Sequence, residues 1–201
     1  MRRVVASAAA VFLVTLSTTC DRSPPTDPHR QLALRLEADR ALDAKNFVAH
    51  LVGANEVPSH DTPAVGEIKL QLSDDGTEVA YRLISSNIEN VFMAHIHCGR
   101  PGANGPIRMW LAPVIGPTGA PGPNGSGPHD GVLAVGTFSP TGVICPASAV
   151  GHDMPLLDAI RAGLTYVNVH TNDGVAPANT GPGDFPGGEI RGQLESPRVN
   201  D

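Results

Sequence analysis

Basic residues are scarce in this chain: 14 Lys and Arg stand against 20 Asp and Glu, for a formal charge of −6 at pH 7. Binding to a phosphate backbone rests on clustered cations that displace counterions, so no nucleic-acid partner is expected. Long apolar runs are also lacking. The longest, Val4 to Leu16, falls short of the roughly 20 residues that a membrane-spanning helix needs. There is no nucleophile elbow, phosphate loop or Cys-x-x-Cys pair, which leaves covalent catalysis and nucleotide binding without support and favours a non-enzymatic protein. Nor is there room for many long helices, because 22 Gly and 19 Pro among 201 residues put a breaker every few positions. A chain of this length suits one ordinary domain with a tail.

What is present begins with export. Arg2 and Arg3 precede the apolar run, and Ser17-Thr18-Thr19 follows it, so residues 1–19 read as a secretory signal peptide. Leu16-Ser17-Thr18-Thr19-Cys20 resembles a bacterial lipobox, in which Cys20 would be acylated, with ordinary cleavage and release as the alternative. The expected location is the periplasm or cell surface, with the membrane touched only through that lipid anchor. Residues 20–45 then form a tether: three prolines lie between Asp21 and His29, and Leu32, Leu36 and Ala41 to Ala44 fit one short helix. Setting Cys20 aside leaves Cys98 and Cys145, an even pair expected to be disulfide-bonded in an oxidising compartment, with two buried thiols as the alternative.

From residue 46 to 196 the pattern becomes that of a single domain, followed by a short tail, 197–201. Runs of period two lie at Phe47 to Leu51, Val65 to Leu72, Glu78 to Ile84, Val91 to His97, Ile107 to Leu111, Val132 to Phe138, Leu164 to His170 and Glu189 to Leu194. Asp74-Asp75-Gly76 joins the second and third as a hairpin. Met154 to Ala162 carries Leu156, Leu157 and Ile160 at helical spacing and stops at Gly163, which predicts one short helix. Residues 112–131 read as a Gly/Pro loop, containing the glycosylation-type triplet Asn124-Gly125-Ser126. The fold class expected is mainly β, an antiparallel sandwich of immunoglobulin-like or superoxide dismutase-like Greek-key type with one short helix.

The chemistry concentrates in Val91-Phe92-Met93-Ala94-His95-Ile96-His97-Cys98. Side chains two apart on a strand share a face, so His95 and His97 point together, away from Phe92, Ala94 and Ile96, whose face is expected to go to the core. Tyr166-Val167-Asn168-Val169-His170 repeats the design, and a neighbouring strand would complete a three-histidine site on the more polar side of the sheet. Neutral imidazole suits copper or zinc, and protons should compete with the metal near the unperturbed histidine pKa of about 6.5. Equally, a His-x-His pair can bond only backbone or water. His29, His50, His60, His129 and His152 read as solvated side chains in the tether, beside a strand or in loops. Glu189 and Arg191 alternate outward with Gln193, where Glu189 could orient an imidazole or simply form a surface ion pair. Glu56 lies at a strand exit, where it could brace a loop.

These stretches resemble the CHRD domain, first described in chordin and found in bacterial exported proteins and lipoproteins. The resemblance is carried by Phe47 to Leu51 followed by Gly53-Ala54-Asn55-Glu56-Val57-Pro58, by Ala94-His95-Ile96-His97, by Asn104-Gly105-Pro106, by Tyr166 to Thr171, and by Gly188 to Leu194. It implies a β-sandwich module with no well-established general biochemical activity. The function expected is a non-enzymatic envelope module that binds copper or zinc through the three histidines, with an envelope protein or a metal ion as partner. A metal-free interaction module and a superoxide dismutase-like copper enzyme are the alternatives. A second similarity is to copper/zinc superoxide dismutase. It would make His95, His97 and His170 copper ligands, with Cys98 and Cys145 stapling a nearby loop. The bridging histidine and zinc loop of that family have no clear counterpart, although His129, Asp130, His152 and Asp153 lie in the right region.

Overall fold

The computed structural model describes residues 30–36, 43–112 and 127–197. The signal peptide, Cys20, His29, most of the tether, the Asn124 triplet and the end of the tail lie outside the described residues. The chain divides into two units, residues 1–36 and 37–201. In the first, residues 30–36 form a helix, α1, whose Leu32, Leu34 and Leu36 are exposed. Among the described residues no helix is long and apolar enough to cross a membrane.

Among the described residues, the second unit holds ten strands: β1 Asn46–Val52, β2 Val65–Leu72, β3 Val79–Glu89, β4 Val91–Cys98, β5 Ile107–Ala112, β6 Pro128–Phe138, β7 Ile144–Cys145, β8 Met154–Pro155, β9 Thr165–Thr171 and β10 Ile190–Gln193. Eight of them form one antiparallel sheet in the order β5-β4-β9-β10-β1-β2-β3-β6, and β7 pairs with β8. The alternation that defines each strand also builds the core. Phe47, Ala49 and Leu51 of β1 point inward beside Ile68 and Leu70 of β2, Leu83 of β3 and Ile190 of β10. The Tyr81 hydroxyl donates to the Leu111 carbonyl at 2.9 Å, tying β3 to β5, so the sheet curls until it is nearly closed. The architecture is therefore a sandwich-like barrel of antiparallel strands.

The β2–β3 hairpin turns where Asp74-Asp75-Gly76 predicts it. Gly76 takes φ +73°, and the Asp75 carboxylate accepts from Ser73 Oγ, Thr77 N and Thr77 Oγ1. The expected helix is α3, Leu156–Arg161, followed by Gly163 at φ +66°. A further helical turn, α2 Ala147–Val150, was not expected, since four residues carry no periodic signal. The Gly/Pro loop is also shorter than predicted. Pro128 to Gly131 belong to β6, whose ladder against β3 tolerates them through register shifts at Leu83/Ile84 and Ser85/Ile88. Cys98 and Cys145 are disulfide-bonded, with Cα atoms 5.5 Å apart, fastening the end of β4 to β7.

Candidate metal centre

Strands β4 and β9 pair antiparallel with Met93 opposite His170, His95 opposite Asn168 and His97 opposite Tyr166. Directly opposed residues share a face. Ala94 and Ile96 with Val167 and Val169 take the core face, so these six side chains form a grid on the other. The expected convergence is present: one ring nitrogen from each of His95, His97 and His170 lies within 4.8 Å of the others. His95 Nδ1 and His170 Nε2 are 3.1 Å apart. Nitrogens bound to one ion at about 2.0–2.1 Å in a trigonal or tetrahedral set lie about 3.3–3.6 Å apart, so the widest pair must close by roughly an ångström or a little more to share a metal.

The face is not the polar one that alternation suggested. His95 is fully buried, His97 and His170 are 8% and 5% exposed, and every residue of β9 is buried. Loops cover the grid and hold the rings. His97 Nδ1 donates to the Gly105 carbonyl at 2.8 Å, and His170 Nδ1 donates to the Pro186 carbonyl at 2.8 Å. A neutral ring that donates from Nδ1 keeps a lone pair on Nε2. His97 Nε2 and His95 Nε2 are both buried without a partner. His170 Nε2 lies 3.0 Å from Asn168 Oδ1, a contact that is favourable when the amide turns its NH₂ to the ring or when a cation lies between them.

Burial keeps these rings neutral. Desolvation, reinforced by His170 and His97, holds the His95 pKa down at about 3. Desolvation takes His170 down to about 4 despite the Pro186 bond, and it lowers His97 against the pull of Gly105. Any metal held by these rings would therefore meet proton competition only well below the unperturbed value of about 6.5 anticipated from sequence.

Aromatic rings wall the site. Trp110, opposite His95 in the β4–β5 ladder, stands edge-on to it with centroids 4.0 Å apart. Tyr166 stacks on His97 at 4.8 Å and 10°, and the Arg191 guanidinium lies 3.4 Å above the other side of the Tyr166 ring. Arg191 is buried, not outward-facing and not in a surface ion pair. It donates to Asn104 Oδ1 and to the Arg100 and Ala103 carbonyls. Glu189 is buried as well and does not orient an imidazole. Its oxygens accept from Thr62 Oγ1, Thr171 Oγ1 and Gly183 N, which fastens the loops on either side of the site.

Glu56 does more than brace a loop. Its carboxyl is buried near Arg191 and Asn168, and desolvation outweighs the arginine to raise its pKa to about 7. Gly188, at φ +127°, makes room for it, since a Cβ there would sit 2.5 Å from Glu56 Oε1. Of the other histidines, His50 is exposed on β1, His129 lies on β6 instead of in a loop, and His60 stacks on Phe185 with centroids 4.0 Å apart. Asp130 is engaged by Ser86 and Asn87, and Asp153 accepts from Ala147 N. His95, His97 and His170 are the one group of three or more potential ligands found close together among the described residues.

The geometry thus defines an antiparallel β module that encloses a three-histidine cluster beneath its loops. The CHRD domain family matches over residues 47–194, and the chain belongs to that family. No curated protein and no solved structure matches it.

Proposed function

We propose that this chain is a cell-envelope CHRD protein, an extracytoplasmic interaction module without catalytic activity, which binds one transition-metal ion, copper or zinc, through His95, His97 and His170. The observation that carries the reading is the convergence of one ring nitrogen from each of the three histidines within 4.8 Å, in a buried site where the Nε2 atoms of His95 and His97 have no hydrogen-bond partner. A buried acceptor without a partner costs roughly 1–3 kcal/mol, and a metal ion would satisfy these at once. The carbonyls of Gly105 and Pro186 set the outward nitrogens of His97 and His170 as protonated donors, which is how protein shells commonly orient imidazole ligands. Arg191 and Tyr166 back His97 as positioning residues.

The test is metal analysis of the purified chain beside His95→Gln. One equivalent of metal in the first and little in the second is expected; an equal metal content in both rejects the site. The tether and Cys20 would hold the module at the membrane. Cys20→Ser is expected to release it into the soluble envelope fraction, whereas a wild-type protein that is already soluble and unmodified rejects the anchor.

A further inference from the structure

We propose that the site selects copper(I) over zinc(II) and that the Met93 thioether is its fourth ligand; this rests on the metal-binding reading above and goes beyond it. The first ground is charge. The three ligands are neutral imidazoles, and no carboxylate oxygen joins them. Of the nearby carboxylates, Glu189 is committed to Thr62, Thr171 and Gly183, while Glu56 lies buried near Arg191 with its Oε1 unpartnered and is not one of the clustered ligands. The charge fixed behind His97 is positive, because Arg191 caps the Tyr166 ring that stacks on it. Desolvating an ion costs in proportion to the square of its charge, so a divalent ion carries about four times the penalty of a monovalent one, with no anionic ligand in the cluster to offset it. A buried, all-neutral donor set thus suits a monovalent ion such as copper(I); because three imidazoles also hold zinc(II), the discrimination rests on a soft fourth ligand.

The second ground is Met93. It stands opposite His170 in the β4–β9 ladder and two residues before His95, which places it on the face of the imidazoles. It is half-buried and does not pack with the apolar cluster inside the barrel, as Met109 and Met154 do. A thioether is a soft donor, which favours copper(I) and offers zinc(II) little. Phe92 and Trp110, each with its ring against one of the histidines, narrow the access of water that a divalent ion would retain.

The test is competition on the full chain under anaerobic conditions. Copper(I) buffered by a chromogenic chelator and zinc(II) buffered by a zinc dye are titrated separately and then against each other. One equivalent of copper(I) is expected to bind and to resist displacement by equimolar zinc(II). Met93→Leu, which keeps the volume of the side chain, should weaken copper(I) binding by about tenfold and leave zinc(II) binding unchanged. Displacement of copper(I) by zinc(II), or a Met93→Leu variant that binds copper(I) as tightly as the parent, overturns this assignment while leaving the three-histidine site standing. Binding of neither ion, in a chain that still unfolds cooperatively, overturns the site itself.

Discussion

Buried neutral histidines make the metal-free protein sensitive to acid, and Glu56 conceals part of that sensitivity. The histidine pKa values of about 3 for His95 and about 4 for His170 lie below the unfolded value of about 6.5. Between those limits the unfolded chain binds more protons than the folded one, so stability falls as the pH falls. Each histidine costs about 1.4 kcal/mol per pH unit over that window, so these two together cost about 4 kcal/mol between pH 7 and pH 5. Glu56 has the opposite sign. Its folded pKa, about 7, lies above the model value of 4.5, so it stabilises the fold in acid and that contribution is lost as the pH rises through 7. Acidification from pH 7 to pH 5 returns about 2 kcal/mol through Glu56, and the parent protein should lose only about 2 kcal/mol on balance.

Glu56→Gln keeps the neutral shape of the side chain and abolishes its titration. The variant should therefore lose the full 4 kcal/mol or so over the same interval, a large part of the 5–15 kcal/mol that holds a typical domain folded. Urea denaturation of chelator-treated protein at pH 7 and pH 5 reads both numbers directly. Parallel behaviour of parent and variant would show that Glu56 is not the compensating group. A parent and variant both indifferent to pH in this range would refute the neutral, buried state of the histidines.

Reduction of the Cys98–Cys145 bridge, which closes a loop over a sequence separation of 47, is expected to cost about 4 kcal/mol by loop entropy, measured as a lower urea midpoint with and without reductant. Arg191→Ala leaves the Arg100 and Ala103 carbonyls and Asn104 Oδ1 without their donor and uncovers Tyr166. It should destabilise the fold by about 3 kcal/mol or more, and because Tyr166 then no longer holds His97 squarely, lower metal affinity by roughly 10–100-fold in a direct titration.

The strands were legible where alternation is strict. Val65 to Leu72 has the same bounds in sequence and structure, because Ile68, Leu70 and Leu72 fall on one face between turn residues. Strand β3 runs on to Glu89 past the predicted Ile84, since polar Ser85 and Ser86 hide the period and Asn87 takes φ +55° at the irregularity. The first half of β6 was invisible because Pro128-His129-Asp130-Gly131 has turn composition, yet its partner strand supplies the ladder. At the site, period two alone put His95 beside His97. That β9 neighbours β4 and brings His170 to them depended on topology, which five separated motifs in family order suggested and spacing could not. The burial of that face was not legible at all. It comes from backbone carbonyls at Gly105 and Pro186, and from loops fastened by Glu189, Asn104 and Arg191, whose charged or polar side chains resemble surface residues when read one strand at a time.

Those same side chains explain why a barrel with a complete apolar core of its own carries a second, polar interior. Asn104 donates to the Val57 carbonyl and accepts from Arg191, while Asn55 donates to the Arg191 carbonyl, so three of the motif stretches interlock over β9 and β10. The Tyr166 hydroxyl accepts from Gly105 N, whose own carbonyl receives His97. Each bond that fastens a loop is thus one or two steps from an imidazole. Burying an arginine and two glutamates is expensive unless each is paired or hydrogen-bonded, and a core of apolar residues would close the same space more cheaply. The arrangement is intelligible if the loops exist to enclose the histidines: Arg191 directs its donors at Asn104 and the Arg100 and Ala103 carbonyls, and Glu189 accepts from Thr62, Thr171 and Gly183, so the loops are fixed without occupying the Nε2 atoms of His95 and His97.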